Sequence, residues 1–282
     1  MNNFFVVQFN PTVFSLPFIT LHWYGLMYFI GLLFSIWLSI KRIDKEKNKW
    51  ISKEEIQEIL YVSFIGIIIG GRIGYILFYN IKLLYLNPMF IFKIWHGGMS
   101  FHGGLIGVLI VLFYYSITNK LNFLKLSDFI TKLVPFGIAL GRLGNFINGE
   151  LWGNVTNIRL AMIFPKSLYE DIVYLSNDSK WSYVFNKYQG LPRHPSQLYE
   201  MIFEGVVIFL FLNLLNFRKL PIGSCTSLFL IFYGVFRIIL ETFRSQNMQG
   251  LFIYKMFSMG QILSFPMIII GILLIIRSFY IY

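Results

Sequence analysis

The stretch "GGMSFHGGLIGVLIVLFYYSI", Gly97 to Ile117, contains no charged side chain and is apolar over most of its length. A helix needs about 20 such residues to cross the hydrocarbon core of a bilayer. The stretch therefore predicts a membrane-spanning helix. Its beginning is unusual for such a helix, because the first eight residues include four glycines and His102.

The composition of the whole chain agrees with this interpretation. Apolar residues make up 56% of the 282 residues and charged residues only 13%, with a mean hydropathy of +0.65. A soluble domain carries about a quarter charged residues, so the composition excludes a soluble protein. Together with Gly97–Ile117, six further runs predict an all-α integral membrane protein with a bundle of seven transmembrane helices: Leu21–Ile40, Glu55–Tyr79, Phe129–Ile147, Gln197–Phe217, Gly223–Phe243 and Ser258–Phe279.

A polar segment, residues 148–196, separates the fourth predicted span from the fifth. We expect it to form a small head domain outside the bilayer, inserted into a single membrane domain that comprises residues 1–282. Its sequence "NIRLAMIFP" is compatible with a short strand. The single cysteine, Cys225, excludes an internal disulfide and a cysteine-based metal cluster.

Lysine and arginine in the short loops predict the orientation. If the N-terminus lies outside, the inner segments hold eleven basic residues and the short outer segments hold four. This bias favours an external N-terminus and head and an internal C-terminus. The basic loop Lys41–Lys53 is then a topology signal next to anionic lipid, and no nucleic-acid partner is expected.

Polar residues converge at one depth in this topology. A charged group at the centre of a bilayer costs at least about 2.5–3.5 kcal/mol, so its position is informative. Contributions from six predicted helices lie in the outer half of the membrane: His22, Tyr24, Arg72, His102, Arg142, Glu150, Glu200, Glu204, Arg237 and Glu241. Their convergence predicts a functional site at that depth.

One narrow stripe of the sixth predicted helix, assuming about 100° per residue, carries Tyr233, Arg237, Glu241 and Arg244. The stripe has two interpretations. An Arg–Glu pair at i, i+4 can neutralise itself inside a bundle. Alternatively, a spare guanidinium, with Arg72 and Arg142 in addition, can hold a phosphate, because the planar fork matches phosphate oxygens.

A second glycine cluster, "GRLGNFINGELWG" at Gly141–Gly153, places Arg142, Asn145 and Glu150 among residues that allow close approach. Gly103 and Gly107 form a small-xxx-small pair typical of close helix packing.

The histidines do not form a helical metal pair, because His96 and His102 are six residues apart and lie about 240° from each other on a helix. A metal site built from His22, His102 and His194 is one alternative. A general-base role for His102 beside the arginines is the other, since imidazole titrates near neutral pH.

The sequence also resembles a known family, through seven motifs in the same order between Leu21 and Pro266: "HWYGLMYFIG", "GGRIGY", "GGMSFHGGLIG", "GRLGNFINGELWG", "RHPSQLYE", "YGVFRIILETFR" and "SMGQILSFP". They are similar to the phosphatidylglycerol–prolipoprotein diacylglyceryl transferase family of bacteria. The resemblance implies seven spanning helices in the inner membrane, with a periplasmic N-terminus, head and catalytic face and a cytoplasmic C-terminus.

The implied reaction is the first step of bacterial lipoprotein maturation. The sn-1,2-diacylglyceryl group moves from phosphatidylglycerol to the thiol of the lipobox cysteine of a prolipoprotein, and glycerol phosphate is released. The resemblance implies no cofactor and no metal.

Family positions carried onto this sequence imply a catalytic set of His102 and Tyr24 near the thiol and Arg142 and Arg237 at the phosphate. The implied phosphatidylglycerol-binding set is Arg142, Asn145, Glu150, Gly153, Tyr233, Arg237, Glu241 and Arg244. His96 departs from the family, in which many members carry an acidic residue there. A thiol gains nucleophilicity from a nearby base, and arginines stabilise charge on a leaving phosphate.

Two other classes of function are alternatives. A membrane transporter would continue its polar groups through the inner half of the bilayer, whereas the inner halves of these helices are apolar. An intramembrane metal-dependent hydrolase would need a set of metal ligands, and the sequence has no H-E-x-x-H motif.

Overall fold

A computed structural model describes residues 3–15, 20–45, 50–93, 98–214, 220–245, 252–253 and 257–281, and His96 lies outside them. The helices are α1 (Trp23–Lys45), α2 (Lys53–Tyr79), α3 (Ile81–Leu86), α4 (Phe101–Thr118), α5 (Phe123–Thr131), α6 (Val134–Ile147), α7 (Leu168–Asn177), α8 (Ser182–Tyr188), α9 (Ser196–Glu200), α10 (Ile208–Leu214), α11 (Ser224–Glu241) and α12 (Met259–Ile281). A π-helical turn, Met201–Val207, joins α9 to α10, so that Ser196–Leu214 is one continuous helical run. Short 3-10 turns occupy Pro88–Phe92, Pro165–Ser167 and Ser179–Trp181.

The strands are short: β1 (Phe5–Val6), β2 (Thr12–Ser15), β3 (Thr20–His22), β4 (Met162–Ile163), β5 (Pro192–Arg193), β6 (Phe252–Ile253) and β7 (Phe257–Ser258). β2 with β3 and β6 with β7 form antiparallel pairs. β4 lies at the centre of a three-stranded sheet, parallel to β1 and antiparallel to β5. The strand expected within "NIRLAMIFP" is therefore confirmed.

Six helical runs among the described residues are long and apolar enough to cross a membrane: α1, α2, α4, Ser196–Leu214, α11 and α12. They correspond to six of the seven predicted spans. Large apolar side chains such as Phe29, Ile110 and Leu273 are exposed on their outer faces, as lipid-facing positions require. The chain is a multi-pass, mostly helical membrane protein.

The predicted fourth span, Phe129–Ile147, is not one continuous helix. It is divided between α5 and α6, and α6 has only 14 residues. At 1.5 Å per residue, that is about 21 Å, less than the thickness of the hydrocarbon core. Pro135 explains the division, because it lies in the first turn of α6, where its missing N–H group costs little, and it could not sit inside a longer helix without breaking a hydrogen bond.

Glycines set the distance between α2 and α4. Gly66, Gly70 and Gly74 on α2 face Gly103 and Gly107 on α4, and a Cβ atom added to either glycine of α4 would collide with the backbone of α2. Small residues let two membrane helices approach to backbone contact. The packing role predicted for Gly103 and Gly107 is confirmed, and the contact fixes the start of α4 against α2.

Two apolar clusters fill the bundle. One lies at the end that holds the α1–α2 connection and includes Ile43, Ile56 and Leu126. The other surrounds Tyr233 and includes Ile208 and Phe229. A third, small cluster joins the N-terminal segment to residues 148–196 and consists of Val7, Phe146, Trp152 and Phe164. We refer to the end of the bundle next to residues 148–196 as the 148–196 end.

Candidate active site

Three arginines and three glutamates meet inside the bundle, and we call this set the bundle network: Arg142, Glu200, Glu204, Arg237, Glu241 and Arg244. Arg142, on α6, uses both arms of its guanidinium. Its Nη1 lies 2.9 Å from Oε2 of Glu200, and its Nη2 donates to Oε2 of Glu204 at 2.9 Å. Both glutamates are completely buried. Two-armed Arg–carboxylate contacts fix geometry as well as charge.

The stripe on α11 completes the network. Arg237 Nη1 donates to Oε1 of Glu200 at 2.8 Å and lies 3.5 Å from Oε1 of Glu204, while its Nη2 lies 2.8 Å from Oε2 of Glu241. Arg244 Nη1 is 3.3 Å from the same oxygen of Glu241. α11 is the sixth predicted helix, and the Arg237–Glu241 pair at i, i+4 that was one interpretation of its stripe is confirmed.

The expectation of spare arginines is wrong. Arg142, Arg237 and Arg244 all have carboxylate partners. Arg72 donates to the backbone oxygens of Phe90, Ile91, Lys93 and Gly98. These hydrogen bonds hold residues 90–93 and Gly98, which lie between α2 and α4, against the Arg72 side chain. Sequence reasoning missed the partners because it did not pair Glu200 and Glu204 with arginines on other helices.

A close contact between two helices brings Glu200 and Glu204 to Arg142. A Cβ atom added to Gly205 would lie 2.7 Å from the Cα atom of Ala139 on α6, so only glycine fits. Gly205 and Glu204 belong to the π-helical turn, a feature frequent at functional sites. One signal was present in the sequence: an acidic i, i+4 pair in an apolar helix requires cationic partners.

Nε2 of His102 and the Oη of Tyr233 are among the buried polar atoms that make no hydrogen bond within the described residues, and both lie beside the network. His102 lies in the first turn of α4 with 6% of its surface exposed, and Tyr233 is fully buried with its ring 4.2 Å from that of Phe101. His102 interacts electrostatically with Arg237, and Tyr233 interacts with Glu204. Leaving a buried polar group unsatisfied costs about 1–3 kcal/mol, so these atoms mark a place where a ligand can supply partners.

Tyr24, Asn145 and Glu150 flank the network on the α1–α6 side. Tyr24 Oη is 3.0 Å from Oη of Tyr28, and Tyr24 interacts electrostatically with Arg142 and Glu150. Asn145 is buried, and its carbonyl oxygen accepts a hydrogen bond from the Glu150 amide at 3.1 Å. Burial raises the pKa of the Glu150 carboxyl. Glu150 is thereby held at the end of α6.

Gly153 contributes to the site through its backbone contacts. Its amide donates to the His194 carbonyl at 2.9 Å, and it forms an antiparallel bridge with Arg244. An added Cβ atom would lie 2.6 Å from the Phe243 carbonyl oxygen, so glycine is required where residues 148–196 join the end of α11. This bridge positions the backbone of Arg244, a member of the network.

His22 and His194 do not join His102. His22 ends β3, where it pairs with Thr12, and His194 lies near Tyr199, with Nδ1 at 3.3 Å from its Oη. Burial lowers the pKa of His194. Within the described ranges, no three His, Cys, Asp or Glu side chains are arranged to hold a metal ion. The three-histidine alternative therefore has no support in the arrangement of the ligands.

A second ionic network lies in residues 148–196, and sequence reasoning did not find it. We call Glu170, Asp171 and Arg193 the head network. Arg193 Nε and Nη2 lie 2.8 and 2.6 Å from Oδ1 of Asp171, and its Nη1 donates to the Gly153 carbonyl at 3.0 Å. Glu170 Oε2 accepts from Trp152 Nε1 at 2.9 Å. These contacts hold Gly153 and its neighbours in place.

An apolar cavity of about 530 Å³ opens next to α6, lined by Phe9, Asn10, Thr12, Trp23, Leu143, Phe146 and Ile147. Trp23 and Leu143 are the sequence neighbours of Tyr24 and Arg142. The cavity thus adjoins the segments that carry two of the predicted site residues.

These features define a class: a multi-pass helical membrane protein with an enclosed arginine–glutamate site, next to which His102 and Tyr233 have no side-chain hydrogen bond to any described residue. Residues 11–277 match the family model for prolipoprotein diacylglyceryl transferase. The chain belongs to this family.

Proteins named phosphatidylglycerol–prolipoprotein diacylglyceryl transferase are similar over almost the whole length. The one from Yersinia enterocolitica is 53% identical over 275 residues, which cover 96% of this chain and 94% of the relative. Those from Yersinia pestis (strain Pestoides F) and Yersinia pseudotuberculosis (strain IP 31758) are 52% identical over the same shares of both chains.

Proposed function

We propose that this protein transfers the sn-1,2-diacylglyceryl group of phosphatidylglycerol to the lipobox cysteine of prolipoproteins. In this reaction the cysteine sulfur bonds to the glycerol carbon that carries the phosphate, and the bond from that carbon to the phosphate oxygen breaks. The thiol proton is lost, and glycerol phosphate leaves. The observation that carries the proposal is the position of His102 Nε2 and Tyr233 Oη, which have no hydrogen bond to a described residue, beside Arg142 and Arg237 in a chain of this family.

His102 is assigned to the thiol proton. Its Nε2 is buried and has no competing hydrogen bond among the described residues, so it is free to accept a proton from an incoming thiol. Tyr24, beside Arg142 and Glu150, is assigned to the same end of the reaction. Arg142 and Arg237 stabilise the negative charge that develops on the leaving phosphate.

The lipid headgroup is assigned to the surroundings of these residues: Asn145, Glu150, Gly153, Tyr233, Glu241 and Arg244. Tyr233 offers a hydroxyl donor. Gly153 contributes through the backbone bridge to Arg244. The apolar cavity beside Trp23 and Leu143 is suited to one acyl chain, because its wall is largely apolar and adjoins the Tyr24 and Arg142 segments.

The same proposal includes the membrane arrangement. In the bacterial inner membrane, the N-terminus and residues 148–196 would face the periplasm, and the C-terminus would face the cytoplasm. This orientation puts the excess of lysine and arginine on the cytoplasmic side. α5 and α6 together would then supply the seventh crossing. Exported prolipoproteins would meet the site from the 148–196 end. Neither a cofactor nor a nucleic-acid partner is part of the proposal.

The test uses purified full-length protein in vesicles that contain phosphatidylglycerol, mixed with a lipobox peptide. We expect the peptide to gain the mass of a diacylglyceryl group on its cysteine and glycerol phosphate to appear in equal amount. A peptide with serine in place of the cysteine is the matched control and should stay unmodified. If the peptide gained no mass while the lipid remained intact, the proposed function would be wrong.

A further inference from the structure

The bundle network is electrically balanced before any lipid binds. It contains three guanidinium groups and three carboxylates, all largely buried. Arginine stays protonated at any working pH. A phosphodiester brings one further negative charge into this poorly screened environment, and an unbalanced buried charge is strongly unfavourable. Something in the network must therefore change when the lipid phosphate arrives.

The side chains of the two central glutamates cannot move into water when the phosphate binds. Glu200 and Glu204 are fully buried, and the helix that carries them is pressed against Ala139 of α6 at Gly205. Moving either carboxylate to water would require the two helices to separate. Gain of a proton restores the charge balance without such movement.

Of these two carboxylates, Glu204 is the one with less cationic compensation. Glu200 is contacted by three arginines, with Arg142 at 2.9 Å, Arg237 at 2.8 Å and Arg244 at 3.7 Å. Glu204 is contacted by Arg142 at 2.9 Å and by Arg237 at 3.5 Å. A neutral Glu204 would release Nη2 of Arg142 to bind a phosphate oxygen, while Nη1 of Arg237 would keep its hydrogen bond to Glu200.

We propose that binding of the lipid phosphate is coupled to uptake of one proton by Glu204, an inference that rests on the proposed function. The groups that face Glu204 or its arginine partners are Glu200 on its own helix, Arg142 on α6, Tyr233, Arg237, Glu241 and Arg244 on α11, His102 on α4 and Tyr79 on α2. Because the lipid-bound state holds one more proton, affinity for phosphatidylglycerol falls as pH rises. The slope approaches about tenfold per pH unit where uptake is complete.

The experiment measures binding of a short-chain phosphatidylglycerol to the full-length protein in detergent by calorimetry. Buffers with different ionisation enthalpies report the number of protons taken up, from mildly acidic to mildly alkaline pH. Wild type should take up close to one proton per lipid. Glu204→Gln should take up none, bind with an affinity independent of pH and bind more tightly than wild type in alkali, because its network already carries a surplus positive charge.

Two control variants should keep the proton uptake. His102→Gln removes the other titratable group near Arg237. Asp128→Asn removes a carboxylate that belongs to α5 and contacts the start of α11. This carboxylate accepts from the Gly223 and Thr226 amides at 2.6 and 2.8 Å. Arg237 lies eleven residues beyond Thr226, about 16 Å along the helix.

The possible outcomes are distinct. A wild-type affinity that is constant with pH, without proton uptake, overturns the inference, even if Glu204→Gln does not fold. Uptake that survives in Glu204→Gln but disappears in His102→Gln overturns it too. Transfer to the lipobox peptide is scored separately. A protein that transfers without proton uptake contradicts only this inference, whereas a protein that binds the lipid but transfers nothing contradicts the proposed function.

Discussion

The bundle network and the head network are both buried and ionic, yet they differ in how completely their surroundings are satisfied. In the head network, Arg193 contacts the carboxylates of Asp171 and Glu170 and one backbone carbonyl. Asp171 also accepts from the Leu191 amide at 3.0 Å and from Ser167 Oγ at 2.8 Å. In the bundle, the arginines and glutamates bind mainly one another, and His102 and Tyr233 beside them have no hydrogen bond within the described residues.

This difference separates stability from activity. A network closed by backbone groups holds two segments together, because breaking a buried pair leaves an uncompensated charge. A network bordered by unsatisfied groups keeps capacity for a ligand at some cost in stability, as active sites commonly do. Substitutions in the bundle network should therefore lower activity more than stability, and substitutions in the head network should lower stability more than activity. Four variants test this difference.

The largest effect on transfer is expected for His102→Gln. Glutamine keeps a polar side chain at the start of α4 but cannot accept the thiol proton at neutral pH, and loss of a general base lowers rates by about 10²–10⁴-fold. The measurement is diacylglyceryl transfer to the lipobox peptide at saturating lipid. His194→Gln is the matched control in residues 148–196 and should leave the rate close to wild type. Full transfer by His102→Gln at neutral pH would remove His102 from the proposed chemistry.

Arg142→Lys should come next. Lysine keeps the charge, but its single ammonium cannot bridge Glu200 and Glu204 as the two arms of Arg142 do at 2.9 Å each. Removing one group that stabilises developing charge typically costs about 10²–10³-fold in rate. We expect that loss in the turnover rate, with a thermal unfolding midpoint near that of wild type. A variant that unfolds early but transfers normally per folded molecule would mean that Arg142 has only a structural role.

The sequence supplied much of the bundle network and little of its connectivity. The stripe on α11 could be predicted because residues at helical spacing share a face whatever their neighbours are. The partners of Arg142 could not, because they depend on which helix lies beside α6, and apolar membrane faces do not encode that order. The π-helical turn at Glu204 also has no distinct sequence signal. Pro135 was visible, but its position in the first turn of a separate helix emerged only with the structure.

The head network was hidden for a different reason. Asp171 and Arg193 occur in a polar segment where charged residues normally face water, so nothing in the sequence marked them as buried. Their burial depends on the small sheet formed by β1, β4 and β5. Of these strands only β4 was expected, within "NIRLAMIFP", because β1 and β5 have two residues each and produce no alternating pattern.

Arg193→Lys is the counterpart of Arg142→Lys. Lysine cannot bind Asp171 and the Gly153 carbonyl at once, as Arg193 does. Hydrogen bonds to charged groups contribute about 1.5–3 kcal/mol each, so the loss should appear in the thermal unfolding of the protein in detergent. Turnover per folded molecule should remain within a few-fold of wild type. A large loss of turnover with unchanged stability would contradict the distinction between the two networks.

The smallest effect, and the one with the most informative sign, is expected for Tyr233→Phe. The Oη of Tyr233 is buried without a hydrogen bond among the described residues, while its ring packs against Phe101 and Phe229. Deleting only the hydroxyl relieves an unsatisfied polar group and keeps the packing, so the lipid-free protein should be more stable, by up to about 1–3 kcal/mol. Affinity for phosphatidylglycerol should fall, because the bound lipid loses a donor. Unfolding with and without short-chain phosphatidylglycerol measures both the stability of the lipid-free protein and its affinity for the lipid. Tyr115→Phe is the control, because the Tyr115 hydroxyl already donates to Glu58 at 2.7 Å and its removal should destabilise the protein. If Tyr233→Phe also destabilised the lipid-free protein, the hydroxyl would have a partner in the resting state, and the bundle network would be as closed as the one in the head.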